Sequence, residues 1–200
     1  MLDKLRSPRI KKAQSFLELA ILMPILLMML SGLVEFGFLL NHYLDLLDGT
    51  REAARFVSDA SPFISGSYAD DPVFYNNAAS LVDDVVAPLQ LNPATDDIVI
   101  SVIGVGGGRV LSRFPRTLSS PSLSGEWRRY GNHTSEFSNA DIRSRLVSNA
   151  PNTGLVLVEV FYAYHQVLKL PWITAFVPDP IQIHVYSIMP AVSAEPTPYP

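Results

Sequence analysis

Histidines and paired acids are the side chains here best suited to binding metal or moving protons, and the histidines stand far apart, at His42, His133, His165 and His184. None has a neighbour at metal-ligand spacing. His165 and His184 would meet only if two paired strands brought them together. The acidic pairs Asp70-Asp71, Asp83-Asp84 and Asp96-Asp97 lack the spacing of a calcium loop and read as caps and solubilising charge. Cysteine is absent, which excludes a disulfide framework, a thiolate zinc site and a cysteine nucleophile. No G-x-S-x-G elbow is present. Gly106-Gly107-Gly108 is not followed by a helix with Lys and Ser or Thr, so it reads as a hairpin turn rather than a phosphate cradle. These residues point to no catalytic site, no cofactor and no metal, hence to a protein that is not an enzyme. A net charge of -4 argues against nucleic acid as a partner.

The unusual chemistry lies in two carboxylates within an apolar run. From Leu19 to Leu40 the only charged side chain is Glu35, and Glu18 stands just before that stretch. As a helix, those roughly 22 positions reach about 33 Å at about 1.5 Å per residue, enough for a hydrocarbon core of about 30 Å. The run is longer than the apolar region of a signal peptide, and helical pattern continues beyond it. A carboxylate in such a helix costs on the order of 2.5–3.5 kcal/mol at the bilayer centre and less near an edge, so Glu18 needs a partner. Lys11 or Lys12 would serve if Glu18 snorkels to the headgroups. Pro24 removes one backbone hydrogen bond, which membrane helices tolerate, and predicts a modest kink. Ser31, Gly32 and Gly37 would permit close helix approach. Lys4, Arg6, Arg9, Lys11 and Lys12 precede the span, whereas the charges after it are mixed in sign, so the N-terminus is expected inside and the rest of the chain outside.

The elements around this helix follow from pattern. Tyr43, Leu47, Thr50, Ala54 and Val57 recur near helical period and predict an amphipathic stem, with Asp48/Arg51, Glu52/Arg55 and Arg55/Asp59 supporting its polar face. Residues 61–71 read as a loop. Asp71-Pro72 then caps a second helix that ends before Pro88. From Asp97 the period changes to two: Ile98, Ile100 and Val102 share a strand face, and Arg109 to Phe114 return as its partner. Trp127-Arg128-Arg129-Tyr130 reads either as a surface loop with one buried Trp or as a contact patch, since Trp, Tyr and Arg are enriched at hot spots. Ser138 to Asn149 predicts a short helix. Leu155 to Leu168 is apolar on both faces, so it should be a central strand. Pro171 to Pro180 reads as a loop before a last strand beginning at Ile181, and the ending from Pro190 reads as extended or disordered. Together these predict an α+β fold with an antiparallel sheet.

One combination of these residues resembles a family. Gln14, Ser15 and Glu18, then Leu22 and Pro24, then Glu35-Phe36-Gly37, then Arg51-Glu52-Ala53-Ala54-Arg55 resemble the TadE-like pilins and pilus-assembly proteins of the tight-adherence secretion system. The resemblance is strong from Ala13 to about Val57. It implies a type IV pilin-like fold and a membrane peptidase, the prepilin peptidase, cutting between Ala13 and Gln14; the family usually has Gly where this chain has Ala13. It implies that Glu18 pairs with the amine freed at Gln14, on its own or a neighbouring helix. Glu18, Pro24 and Glu35 are then the assembly residues, and other pilin-like subunits and the tight-adherence machinery are the partners.

The expected organisation is a basic leader (1–13), a transmembrane helix (14–40), an amphipathic stem (41–60), an extracytoplasmic α+β domain (61–190) and a proline-rich tail (191–200). The expected role is a TadE-like minor pilin or pilus-assembly component in the cytoplasmic membrane, with no cofactor. The alternative is a membrane-anchored binding module outside any pilus, motivated by Arg128 and Arg129.

Overall fold

A computed structural model describes residues 8–65, 69–116, 125–147 and 152–194, with side chains from Gln14 onward. The leader up to residue 7 and the tail from residue 195 lie outside the described residues, and the helix expected to reach Asn149 ends at Arg145, where Leu146 turns to extended backbone.

A single helix, α1 (Pro8–Ser58), carries both the apolar run and the stem and continues through Pro24. Its N-terminal part is exposed all round from Phe16 and Leu17 to Leu30, with Ser31 and Gly32 the first half-buried positions. Its C-terminal part is one-sided: Glu35, Leu46, Thr50, Ala53, Ala54 and Val57 are buried, and Leu39 packs against them. The three- and four-residue steps are those of one helix face turned to a core. This face begins at Glu35, earlier than the boundary expected at Leu40. Thr50, Ala54 and Val57 are buried as the expected stripe has them, but at its start Tyr43 is exposed and Leu46 takes the buried place. The reason is the second helix, α2 (Pro72–Val86), which packs against α1 where Gly49 leaves room. A Cβ at Gly49 would stand 2.8 Å from Val86 Cγ1. Asp71 caps α2 by accepting from Val73 N–H, and Pro72 supplies its first turn, as the sequence predicts.

The sheet is antiparallel. Strands β1 (Asp97–Gly106) and β2 (Arg109–Phe114) form the expected hairpin across Gly107 and Gly108, both at positive φ. A short β3 (Trp127–Arg128) continues that edge beside Val99 and Ile100. Strand β4 (Thr153–Tyr164) lies between β1 and β5 (Ile181–Pro190), so it is central, as its two apolar faces demand. One sheet face, with Ile98, Ile100, Val102, Val156, Val158 and Val160, packs on the helices. The other, with Ile103, Val105 and Leu157, is covered by Phe137 and by Ile142 of α3 (Asn139–Arg145). Ser138 and Asp141 form a capping box that starts α3.

This is the α+β, pilin-like arrangement expected: a long apolar N-terminal helix followed by an antiparallel sheet. Two local expectations change. The segment 165–180 contains one helical turn, α4 (Pro171–Thr174). After Pro190 the chain packs instead of trailing away, with Ala191 and Ala194 buried against Gly154.

Candidate functional site

The two carboxylates of α1 are treated in opposite ways. Glu35 is 6% exposed, and its carboxylate is filled from within the chain. Oε1 accepts from the Tyr164 hydroxyl at 2.6 Å and from Val167 N–H at 2.8 Å, while Oε2 accepts from Leu168 N–H at 2.8 Å. These donors sit where β4 ends and its chain turns across α1. Gln166, itself buried, braces that turn by donating to the Val177 carbonyl at 3.1 Å, and its own N–H donates to Asp179 at 3.2 Å. Burial, followed by donation to the Glu35 carboxylate, pushes the Tyr164 hydroxyl well above its ordinary pKa. His42 lies two turns along α1, its ring edge-on to Tyr164 at 5.2 Å. Glu35 therefore bolts the globular domain to the helix.

Among the described residues, the partner Glu18 shows is local. Gln14 Nε2 donates to Glu18 Oε1 at 3.3 Å, one turn back on an exposed face. An ionised carboxylate can accept about four hydrogen bonds, so Glu18 keeps capacity for a donor from outside the helix. Around it Phe16 is 73% exposed and Leu33, near the far end, 68%. The Ala13–Gln14 bond lies within α1.

The cluster at Trp127 to Tyr130 is used internally. Trp127 stacks on Tyr75 with centroids 6.1 Å apart, Arg129 pairs with Asp83 at 2.8 Å, Arg128 lies 3.7 Å from Glu126, and Tyr130 N–H donates to Asp97. It fastens β3 to α2 and β1, while Arg128 stays exposed and Trp127, Arg129 and Tyr130 are half-buried. The histidines do not converge. Register places Phe161, not His165, opposite His184. His165 faces Asp179, and His184 lies 3.1 Å from both Glu136 and Glu159. Among the described residues no group of three or more His, Asp or Glu is placed to hold a metal.

Two polar features have no counterpart in the sequence reading. Arg113, 4% exposed, donates to the Phe137 carbonyl at 2.6 Å and to Ser101 and Ser135 at 3.0 and 2.8 Å, binding the outer layer to the sheet. Burial pulls its pKa down, against the nearby carboxylates of Glu126 and Glu159. Asp96 and Asp97, expected as caps and solubilising charge, are buried and accept backbone N–H groups: Asp96 from Asn92 and Ala163, Asp97 from Ile98, Tyr130 and His133.

Residues 13–55 match the family model described as TadE-like protein. The matched segment holds Gln14, Glu18, Pro24 and Glu35, and it ends within the part of α1 that packs on the domain. No curated protein and no solved structure matches the chain.

Proposed function

Taking the TadE-like character of residues 13–55 as premise, we propose that this chain is a minor pilin or pilus-assembly component of a tight-adherence system, non-enzymatic, acting through lateral packing of α1. The observation that carries this reading is the contrast along one helix. Glu35 is satisfied inside the chain, whereas Glu18 sits on an all-exposed apolar surface with acceptor capacity remaining. Such a surface suits lipid first, and then the apolar helices of other pilin-like subunits. In either setting a carboxylate is costly without a partner, and the amine created by prepilin peptidase cutting between Ala13 and Gln14 is a donor of the right charge. The domain then lies outside the cytoplasmic membrane, and the basic residues before the span stay within.

Replacing Glu18 with Ala tests the pairing. The variant should insert into the membrane at the wild-type level yet fail to assemble or to recruit its partners. Wild-type pilus formation by the variant would overturn the role of Glu18.

A further inference from the structure

The turn that donates to Glu35 continues into an apolar knuckle, residues 167–177, reading VLKLPWITAFV, with Lys169 its only charge. Its side chains are unusually open for their type: Phe176 is 85% exposed, Val167 51% and Trp172 38%. The knuckle is not a loose loop. Gln166 and Asp179 tie its two ends, α4 forms its turn, and Trp172 Nε1 donates to Ser31 Oγ at 3.0 Å. That last bond sets the knuckle's height along α1, beside Ser31 and just before Glu35.

From these positions we infer that the knuckle is an interfacial membrane-docking element, seated in the headgroup region of the same bilayer that α1 spans. The inference rests on the spanning reading of α1. From Gln14 to Ser31 the helix rises about 26 Å and to Glu35 about 32 Å, at about 1.5 Å per residue. A hydrocarbon core of about 30 Å that begins near Gln14 therefore ends beside the knuckle. Trp favours this boundary, where its ring is apolar and its N–H is bonded, and a lone Lys suits anionic headgroups. The apolar surface is continuous from the exposed helix onto the knuckle, so lipid covers both. The domain thus rests on the membrane at a fixed height instead of standing off on a stem.

The chain lacks cysteine, which permits single-site labelling of the full-length protein. Phe176→Cys, Leu22→Cys and Val147→Cys are each labelled with a polarity-sensitive fluorophore, in vesicles of phosphatidylcholine and phosphatidylglycerol. Position 22 reports the span, and Val147, beyond α3 on the far sheet face, reports the water-facing side. Lipid quenchers placed near the headgroup should quench position 176 several-fold more than position 147, and aqueous iodide should do the reverse. Deep lipid quenchers should act on position 22. If position 22 is quenched by deep lipid while position 176 responds only to iodide, the docking inference fails and the span stands. If neither responds to lipid, the spanning reading fails and takes the inference with it.

Discussion

Glu35→Ala is the substitution whose consequence can be worked most fully from the geometry. It removes one acceptor group and leaves three donors without a partner: the hydroxyl of Tyr164, which is buried, and the N–H groups of Val167 and Leu168, which are half-exposed. A buried donor deprived of its acceptor costs about 1–3 kcal/mol, and bonds to charged groups are worth about 1.5–3 kcal/mol each. The two amides regain water in part, so the sum comes to about 3–5 kcal/mol, a large share of a typical domain stability of about 5–15 kcal/mol. Glu35→Gln should cost less. Its carbonyl can keep the Tyr164 and Val167 bonds as neutral ones, but its amide nitrogen meets the Leu168 N–H donor to donor, for a loss of about 1.5–3 kcal/mol. Tyr164→Phe, which leaves the carboxylate two bonds, should cost about 1–2 kcal/mol. The assays are thermal unfolding of the full chain in detergent and limited trypsin cleavage after Lys169, an exposed residue in the turn that Glu35 holds. Melting temperature should fall and cleavage quicken in the order Tyr164→Phe, Glu35→Gln, Glu35→Ala. If Glu35→Ala melts and cleaves like the wild type, Glu35 does not bolt the domain to the helix.

Other outcomes follow from single contacts. Arg113→Met strips the Phe137 carbonyl of its donor and leaves Glu126 and Glu159 near an uncharged side chain; a loss of about 3–5 kcal/mol by chemical denaturation is expected. Gly154→Ala would place a Cβ 2.0 Å from the Ala191 carbonyl oxygen, so about 2–4 kcal/mol should be lost and proteolysis near Ala191 should accelerate. Hydrogen bonds from the Ser138 side chain and backbone hold the Asp141 carboxyl below its ordinary pKa. A depressed folded value means the contribution is present above the unfolded value and is lost as pH falls through the folded one. The stability gap between wild type and Asp141→Asn should therefore be full at neutral pH and close below about pH 4, which paired pH melts would read.

The features legible in the sequence are those written in local pattern. The hairpin around Gly107 and Gly108, the central strand expected over Leu155–Leu168 and formed over Thr153–Tyr164, the Asp71-Pro72 cap and the apolar run each announce themselves within a few residues. What escaped depends on distance along the chain. Glu35 could be marked as an unusual charge, yet its partners lie more than a hundred residues away, and two are backbone N–H groups that no side-chain pattern encodes. Arg113 reads as an ordinary strand residue until the outer layer folds over it, and Asp96 and Asp97 read as solvent charge until the 130–133 turn arrives to donate to Asp97. Along the stem Thr50, Ala54 and Val57 are buried as their spacing predicts, while Leu46 takes the place expected of Tyr43 for a packing reason. Gly49 and Ala53 look unremarkable in a hydrophobicity pattern, but their small size lets α2 approach and so decides which face of α1 is buried.

The proposal that α1 is the assembly helix of a pilus-related subunit is decided by the N-terminus of the protein where it works. Intact mass and N-terminal sequencing should be run on the chain from its native membrane and from sheared surface filaments. A mature chain beginning at Gln14 is expected, with that form present in the filament fraction or co-purifying with its assembly machinery. A chain that keeps its leader, stays in the membrane and associates with no pilus component would contradict it.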